Sequence, residues 1–221
     1  MTNNRDADAT RFATESLSQG DPTGWFEKLY AAAADGDAIV PWDAAAPNAL
    51  LVEWIEQQAA TGQGKRAMVV GCGLGRDAEY IAAQGFQTTA FDISDTAIRG
   101  AGERFPASTV HYRAADLLDP PAEWTHAFDL VVESITVQSM PISVRAEAIS
   151  HVARMVAPGG ELLVIAGARA EGAQVDGPPW PLTRAELESF AADGLSLETV
   201  DQTCPPDRPD ALRWRALFRR A

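Results

Sequence analysis

Cysteine is nearly absent: Cys72 and Cys204 are the two in 221 residues, too few for a disulfide framework or a cysteine metal site. Histidine is almost as scarce, at three, so general bases of that kind are few and no metal is expected. Basic residues are outnumbered, 18 Lys and Arg against 31 Asp and Glu, for a formal charge of −13. Phosphate binding needs clustered cations, so this balance argues against nucleic acid or an anionic membrane as partner. Arg213, Arg215, Arg219 and Arg220 do cluster, but they alternate with Trp214, Ala216 and Phe218 and read as the solvent face of a strand. No stretch reaches the ~18 apolar residues of a membrane span, and the polar opening Met1-Thr-Asn-Asn-Arg-Asp lacks a signal-peptide core. Cytoplasmic residence and a small-molecule substrate are the expectations. The chain is 46% hydrophobic and 22% charged, within the range of one α/β domain.

Against this background, residues 67–77 stand out: Ala-Met-Val-Val-Gly-Cys-Gly-Leu-Gly-Arg-Asp, an apolar strand running into three alternating glycines. Gly71, Gly73 and Gly75 allow a sharp turn and a close backbone approach to a ligand. Asp92 follows the next strand-like stretch, roughly 20 residues on, where a carboxylate can accept from two ribose hydroxyls. The spacing G-x-G-x-G departs from the G-x-G-x-x-G of dinucleotide sites, which weakens an NAD reading.

Further along, strand and helix patterns alternate: strands at about 67–71, 87–91, 109–113, 128–133 and 161–166, helices at 75–84, 95–104 and 143–157. This predicts a doubly wound α/β fold with a mostly parallel sheet. Thr183 and Glu186 form a capping-box pattern for a helix over 184–193. The segments 195–203 and 211–219, joined by a Pro-rich turn, predict an antiparallel C-terminal strand pair that completes seven strands. Residues 1–24 are polar and read as a mobile tail. Residues 25–221 read as one domain, with a short helix near 25–30 and an amphipathic helix over 44–60 acting as a lid.

The glycine loop, Phe91-Asp92-Ile93-Ser94, Ala115-Asp116-Leu117, Phe128-Asp129-Leu130-Val131-Val132 and Ala157-Pro158-Gly159-Gly160-Glu161-Leu162 occur in the order seen in class I S-adenosylmethionine-dependent methyltransferases, which the chain resembles over about 65–221. The segment Pro41-Trp42-Asp43-Ala44-Ala45-Ala46-Pro47, with Trp25 and Tyr30, resembles the entrance of the thiopurine, tellurite-resistance and thiol or halide methyltransferase group. These resemblances imply S-adenosylmethionine as cofactor, with Gly71, Cys72 and Gly73 along its methionyl part and ribose. Asp92 is implied on the ribose diol, Ile93 and Leu117 about the adenine, and Asp116 at the adenine amino group. Trp42 would cover the cofactor, and Glu133 or Ser134 would lie near the methyl.

Trp25, Tyr30, Gln138, Met140, Arg169 and Trp180 are the candidates for the acceptor pocket. Each cofactor residue also has a plainer reading, Asp92 as a helix cap and Asp116 as a turn cap. His111, His126 and His151 read as structural or remote, which leaves Glu133 as the candidate base. The expected acceptor atom is sulfur, with oxygen or nitrogen of a small aromatic metabolite as the alternative. A module that binds the cofactor without catalysing transfer is a third reading.

Overall fold

The computed structural model describes residues 6–58, 61–206 and 208–221, and the expectations that touch residues 1–5, 59, 60 and 207 lie outside it. Three helices, α1 (Ala7–Ser18), α2 (Trp25–Ala34) and α3 (Ala49–Gln58), precede β1 (Arg66–Val70). The chain continues through α4 (Arg76–Ala83), β2 (Gln87–Asp92), α5 (Asp95–Arg104), β3 (His111–Ala114), β4 (Phe128–Ser134), α6 (Ile142–Met155) and β5 (Val156–Gly167), then α7 (Arg184–Glu188), β6 (Leu195–Thr203) and β7 (Arg213–Arg220).

The seven strands lie in the order β3-β2-β1-β4-β5-β7-β6. The first five run parallel, and β7 enters antiparallel between β5 and β6. The chain winds outward from β1 in one direction through β2 and β3, then returns to the other side of β1 for β4. The carboxyl ends of β1 and β4 therefore mark a switch point, where open α/β sheets place their ligands. Apolar strands are what a sheet covered on both faces requires: Val131, Leu162 and Val164 pack in one cluster and Val69, Val132 and Leu163 in another.

The antiparallel strand pair expected at the carboxyl end is present, with β7 between β5 and the edge strand β6. Other expectations are corrected, beginning with the solvent face read for β7: Arg220 is buried. The β7 arginines accordingly find partners: Arg219 pairs with Glu161, Arg220 with Asp193 at 2.9 Å, and Arg215 with Glu53 at 3.4 Å. The helix expected over 184–193 stops at Glu188, although its capping box is present. The helix expected from 44 begins at Ala49, after the Asn48 side chain accepts from Leu50 N–H.

Order also begins earlier than Trp25. The expected tail over 1–24 contains α1, whose Ala9, Ala13 and Ser16 are buried against α2 and its surroundings. Small residues at i, i+4 and i+7 make a flat stripe that lets two helices approach, a signal that large apolar residues would have made louder. Deleting residues 1–20 is therefore expected to cost about 2 kcal/mol of stability. At this chain length that lowers the melting temperature by roughly 5 °C. A thermal scan showing no change would mean that α1 contributes nothing to the fold.

Candidate active site

At the switch point lies a cavity of about 670 Å³. Its floor is the loop between β1 and α4. Gly71 has φ 58° and Gly73 φ 52°, left-handed values that favour glycine. A Cβ at Gly71 would collide with the Thr136 side chain, and one at Gly73 would come 2.7 Å from the Tyr30 hydroxyl. The loop therefore passes between two walls with no room for side chains at these positions.

Asp92 ends β2 as the sheet requires. Its Oδ2 accepts from Gly73 N–H at 2.9 Å and its Oδ1 from Ser94 N–H at 3.0 Å. Ser94, not Asp92, caps α5, so the plainer reading of Asp92 as the helix cap is not what the fold uses. Burial pushes the Asp92 carboxyl up to about 6, against the backbone N–H groups that favour its charge. Ile93, Asp116 and Leu117 continue the same wall. Asp116 does cap a turn, accepting from Leu118 N–H at 2.8 Å, while also facing the cavity.

The opposite wall is the end of β4. Ser134 lines the cavity and accepts from Asn48 Nδ2 at 3.0 Å, and Asn48 N–H donates to Asp77 at 2.8 Å. Asn48 thus ties α3, the first turn of α4 and β4 together. The Asn before an apolar run marks the start of a helix in the sequence, but nothing there reveals its bond across to β4.

Among the predicted pocket residues, Tyr30, Trp42, Cys72, Gln138 and Met140 line the cavity. The Trp42 indole donates to the Tyr30 hydroxyl at 2.7 Å, which sets the two rings across the entrance. Three predictions are corrected. Trp25 is fully buried, stacked on Phe26 at 3.9 Å, and packs among the N-terminal helices instead of facing the cavity. Arg169 is drawn away by Glu186 at 2.9 Å and the Pro181 carbonyl at 2.9 Å. Trp180 stays outside while its neighbours Pro178 and Pro179 form the roof with Pro205 and Arg208.

Glu133 is the fourth correction, because it does not line the cavity at all. Its carboxylate folds beneath the loop that follows β4, where Oε1 accepts from Thr136 N–H at 2.8 Å and Val137 N–H at 2.9 Å. That loop carries Ile135 at φ 58°, a strained value for a β-branched residue. Burial raises the Glu133 carboxyl to about 7.

The cavity fits S-adenosylmethionine. The Asp92 carboxylate is nearly sealed and has no cation beside it among the described residues, yet each oxygen keeps lone pairs for hydroxyl donors. Ile93, Asp116 and Leu117 line the same cavity, residue types that suit a purine ring with an exocyclic amine.

A seven-stranded sheet of this order with a cavity at its switch point is a Rossmann-like α/β fold. The thiopurine S-methyltransferase (TPMT) family model matches residues 34–208, and the chain belongs to that family. It is an S-adenosylmethionine-dependent methyltransferase. Similar proteins include the probable thiol methyltransferase 2 of Arabidopsis thaliana, 26% identical over 78% of this chain and 73% of the other. The 2-heptyl-1-hydroxyquinolin-4(1H)-one methyltransferase of Mycobacteroides abscessus is 26% identical over 75% of this chain and 71% of its own. Among solved structures, the TehB-like methyltransferase of Corynebacterium glutamicum shares the fold at TM-score 0.59, with 21% identity over 89% of this chain and 96% of that one. No helix among the described residues is long and apolar enough to cross a membrane.

Proposed function

We propose that the chain transfers the methyl group to the sulfur of a small thiol-type acceptor. One observation carries this reading: among the described residues, no histidine or lysine lines the cavity, and the inner carboxylates are already engaged. Asp77 is held by Asn48, Asp92 by Gly73 and Ser94, Asp116 by Leu118, and Asp43 by both arms of Arg104 at 2.7 and 2.9 Å. A hydroxyl acceptor needs a base near its proton. A thiol ionises in water with a pKa of roughly 8.5 and supplies its thiolate without an enzyme base. The names of the plant thiol relative and of thiocyanate methyltransferase 1 from Brassica oleracea agree with sulfur, whereas the quinolone relative's name specifies a hydroxyl-bearing compound.

In this reading the cofactor lies across the switch point. Asp92 holds the ribose diol, Asp116 takes the adenine amine, Ile93 and Leu117 sandwich the ring, and the backbone of Gly71, Cys72 and Gly73 follows the methionyl chain. Trp42 and Tyr30 close the entrance, and an aromatic face suits a sulfonium charge. When bound, S-adenosylmethionine supplies a methyl group activated by its positive sulfur. The protein's part is placement, which accounts for most of such a displacement. Ser134 fixes the wall beside the acceptor, Gln138 and Met140 shape the acceptor's end, and Pro178 and Pro179 exclude water above it. Two free cysteines suit a reducing, cytoplasmic setting.

The test is a pH series over several acceptors at subsaturating concentration. For thiols, the rate should rise with pH to each acceptor's own pKa, roughly 8.5 for an alkyl thiol and lower for an aromatic one, then level off. An inflection that stays fixed across acceptors would point to an enzyme base, and so to oxygen as the acceptor atom.

A further inference from the structure

Arg76 follows the glycine loop directly as the first residue of α4, and it is one of the residues that line the cavity. Its Nε is sealed from solvent without a hydrogen-bond partner, and no carboxylate pairs with its guanidinium among the described residues. Arg145 and Arg220 also leave Nε without a partner, and Arg215 one terminal nitrogen, but each of those guanidiniums has a carboxylate beside it. Arg145 and Arg169 share Glu186, Arg215 has Glu53 and Asp201, and Arg220 has Asp193. The adjacent Asp77 is not a hidden partner, since its carboxylate is turned to Asn48 N–H. The guanidinium is only partly withdrawn from water, yet its sealed Nε has no acceptor, and a bound anion would recover that cost.

Where that anion comes from follows from the topology. Asp92, Ile93, Asp116 and Leu117 all lie at the ends of β2 and β3, on one side of β1, and they suit the nucleoside. The first turn of α4 is tied through Asn48 to Ser134 at the end of β4, on the other side of β1. A ligand that spans the switch point with its nucleoside at β2 and β3 brings its amino-acid end to Arg76. We propose that Arg76 binds the α-carboxylate of S-adenosylmethionine, a role that rests on the cofactor lying in this cavity as described above. The planar guanidinium can meet both carboxylate oxygens, which a lysine at this position could not.

The test compares S-adenosylmethionine with its decarboxylated form, which keeps the amine and the sulfonium but lacks the carboxylate, by calorimetry on the full chain. Arg76→Gln should weaken S-adenosylmethionine about 10- to 100-fold. It should change the affinity of the decarboxylated form less than threefold, roughly the scatter of such a measurement. Equal weakening of both ligands would show that Arg76 only shapes the loop, and unchanged affinity for both would show that it binds nothing; either result overturns the proposal. Unchanged cofactor affinity with a KM raised only for carboxylate-bearing acceptors would overturn it too, and would move the anion to the acceptor. If Arg76→Gln does not fold, Arg76→Lys gives the same comparison with a smaller preference for the carboxylate. A parent protein that binds S-adenosylmethionine but methylates no thiol would end the acceptor reading and leave this one standing.

Discussion

Asp92→Ala is expected to weaken S-adenosylhomocysteine binding by about 10²- to 10⁴-fold, because two hydrogen bonds from ribose to a charged acceptor are lost at ~1.5–3 kcal/mol each. The loss is compounded by Gly73 N–H, which in the parent donates to Asp92 at 2.9 Å and would be left without that acceptor, loosening the loop under the ligand. The carboxyl's elevated pKa adds a second, independent signature. Held near 6 by burial, Asp92 binds a proton in the free folded protein at pH values where the unfolded chain has released it. Between about pH 4 and 6 the free protein therefore loses stability as pH rises. A ligand that donates two hydroxyls to the ionised carboxylate runs the other way, so its affinity should climb from pH 5 to 7 and level off above the Asp92 pKa. Calorimetry at pH 5, 6 and 7 measures this. A flat profile in the parent, or an Asp92→Ala variant that binds as tightly as the parent, would remove Asp92 from the ribose site.

The glycine loop, the positions of Asp92 and Asp116 at strand ends and the mostly parallel sheet were legible because each depends on local chain pattern: left-handed turns demand glycine, and buried parallel strands demand apolar runs. Residues fixed by long-range packing were not. Trp25 and Trp42 look alike in the sequence, yet Trp25 is buried in the cluster that α1 and α2 form while Trp42 turns its indole to Tyr30. Arg169 is taken out of the pocket by Glu186, a partner 17 residues away that also serves Arg145. Asn48 bridges 86 residues to Ser134, and no periodicity encodes such a contact. Helix α1 is faint in the sequence for a different reason: its contact stripe is made of Ala and Ser, whose burial leaves little hydrophobic signal.

Glu133 shows the same limit most sharply, and it carries the other large effect. Position at the carboxyl end of β4 suggested a base, but the fold uses the carboxylate as an acceptor for two buried N–H groups, at Thr136 and Val137, and so pins the strained turn at Ile135. Glu133→Ala leaves both donors unsatisfied, at about 1–3 kcal/mol each. A stability loss of roughly 2–5 kcal/mol is expected, together with a fall in turnover as Ser134 and Thr136 lose their fixed places on the cavity wall. Glu133→Gln should behave quite differently, since its carbonyl oxygen can accept from both N–H groups without a charge. In the parent, burial lifts this carboxyl from 4.5 to about 7, so folding stability falls as pH rises through that window and is level above it. Over the whole window the change is about 3 kcal/mol, at ~1.36 kcal/mol per unit. The Gln variant should lack that slope, fold about as well as the parent at pH 8, and keep methyl transfer within a few-fold. Denaturant titrations at pH 5 and 8, paired with turnover of a thiol, separate the two roles. Loss of turnover in a well-folded Glu133→Gln protein would restore the carboxylate as a base, whereas retained turnover with a flattened stability profile leaves it as the support beneath the loop.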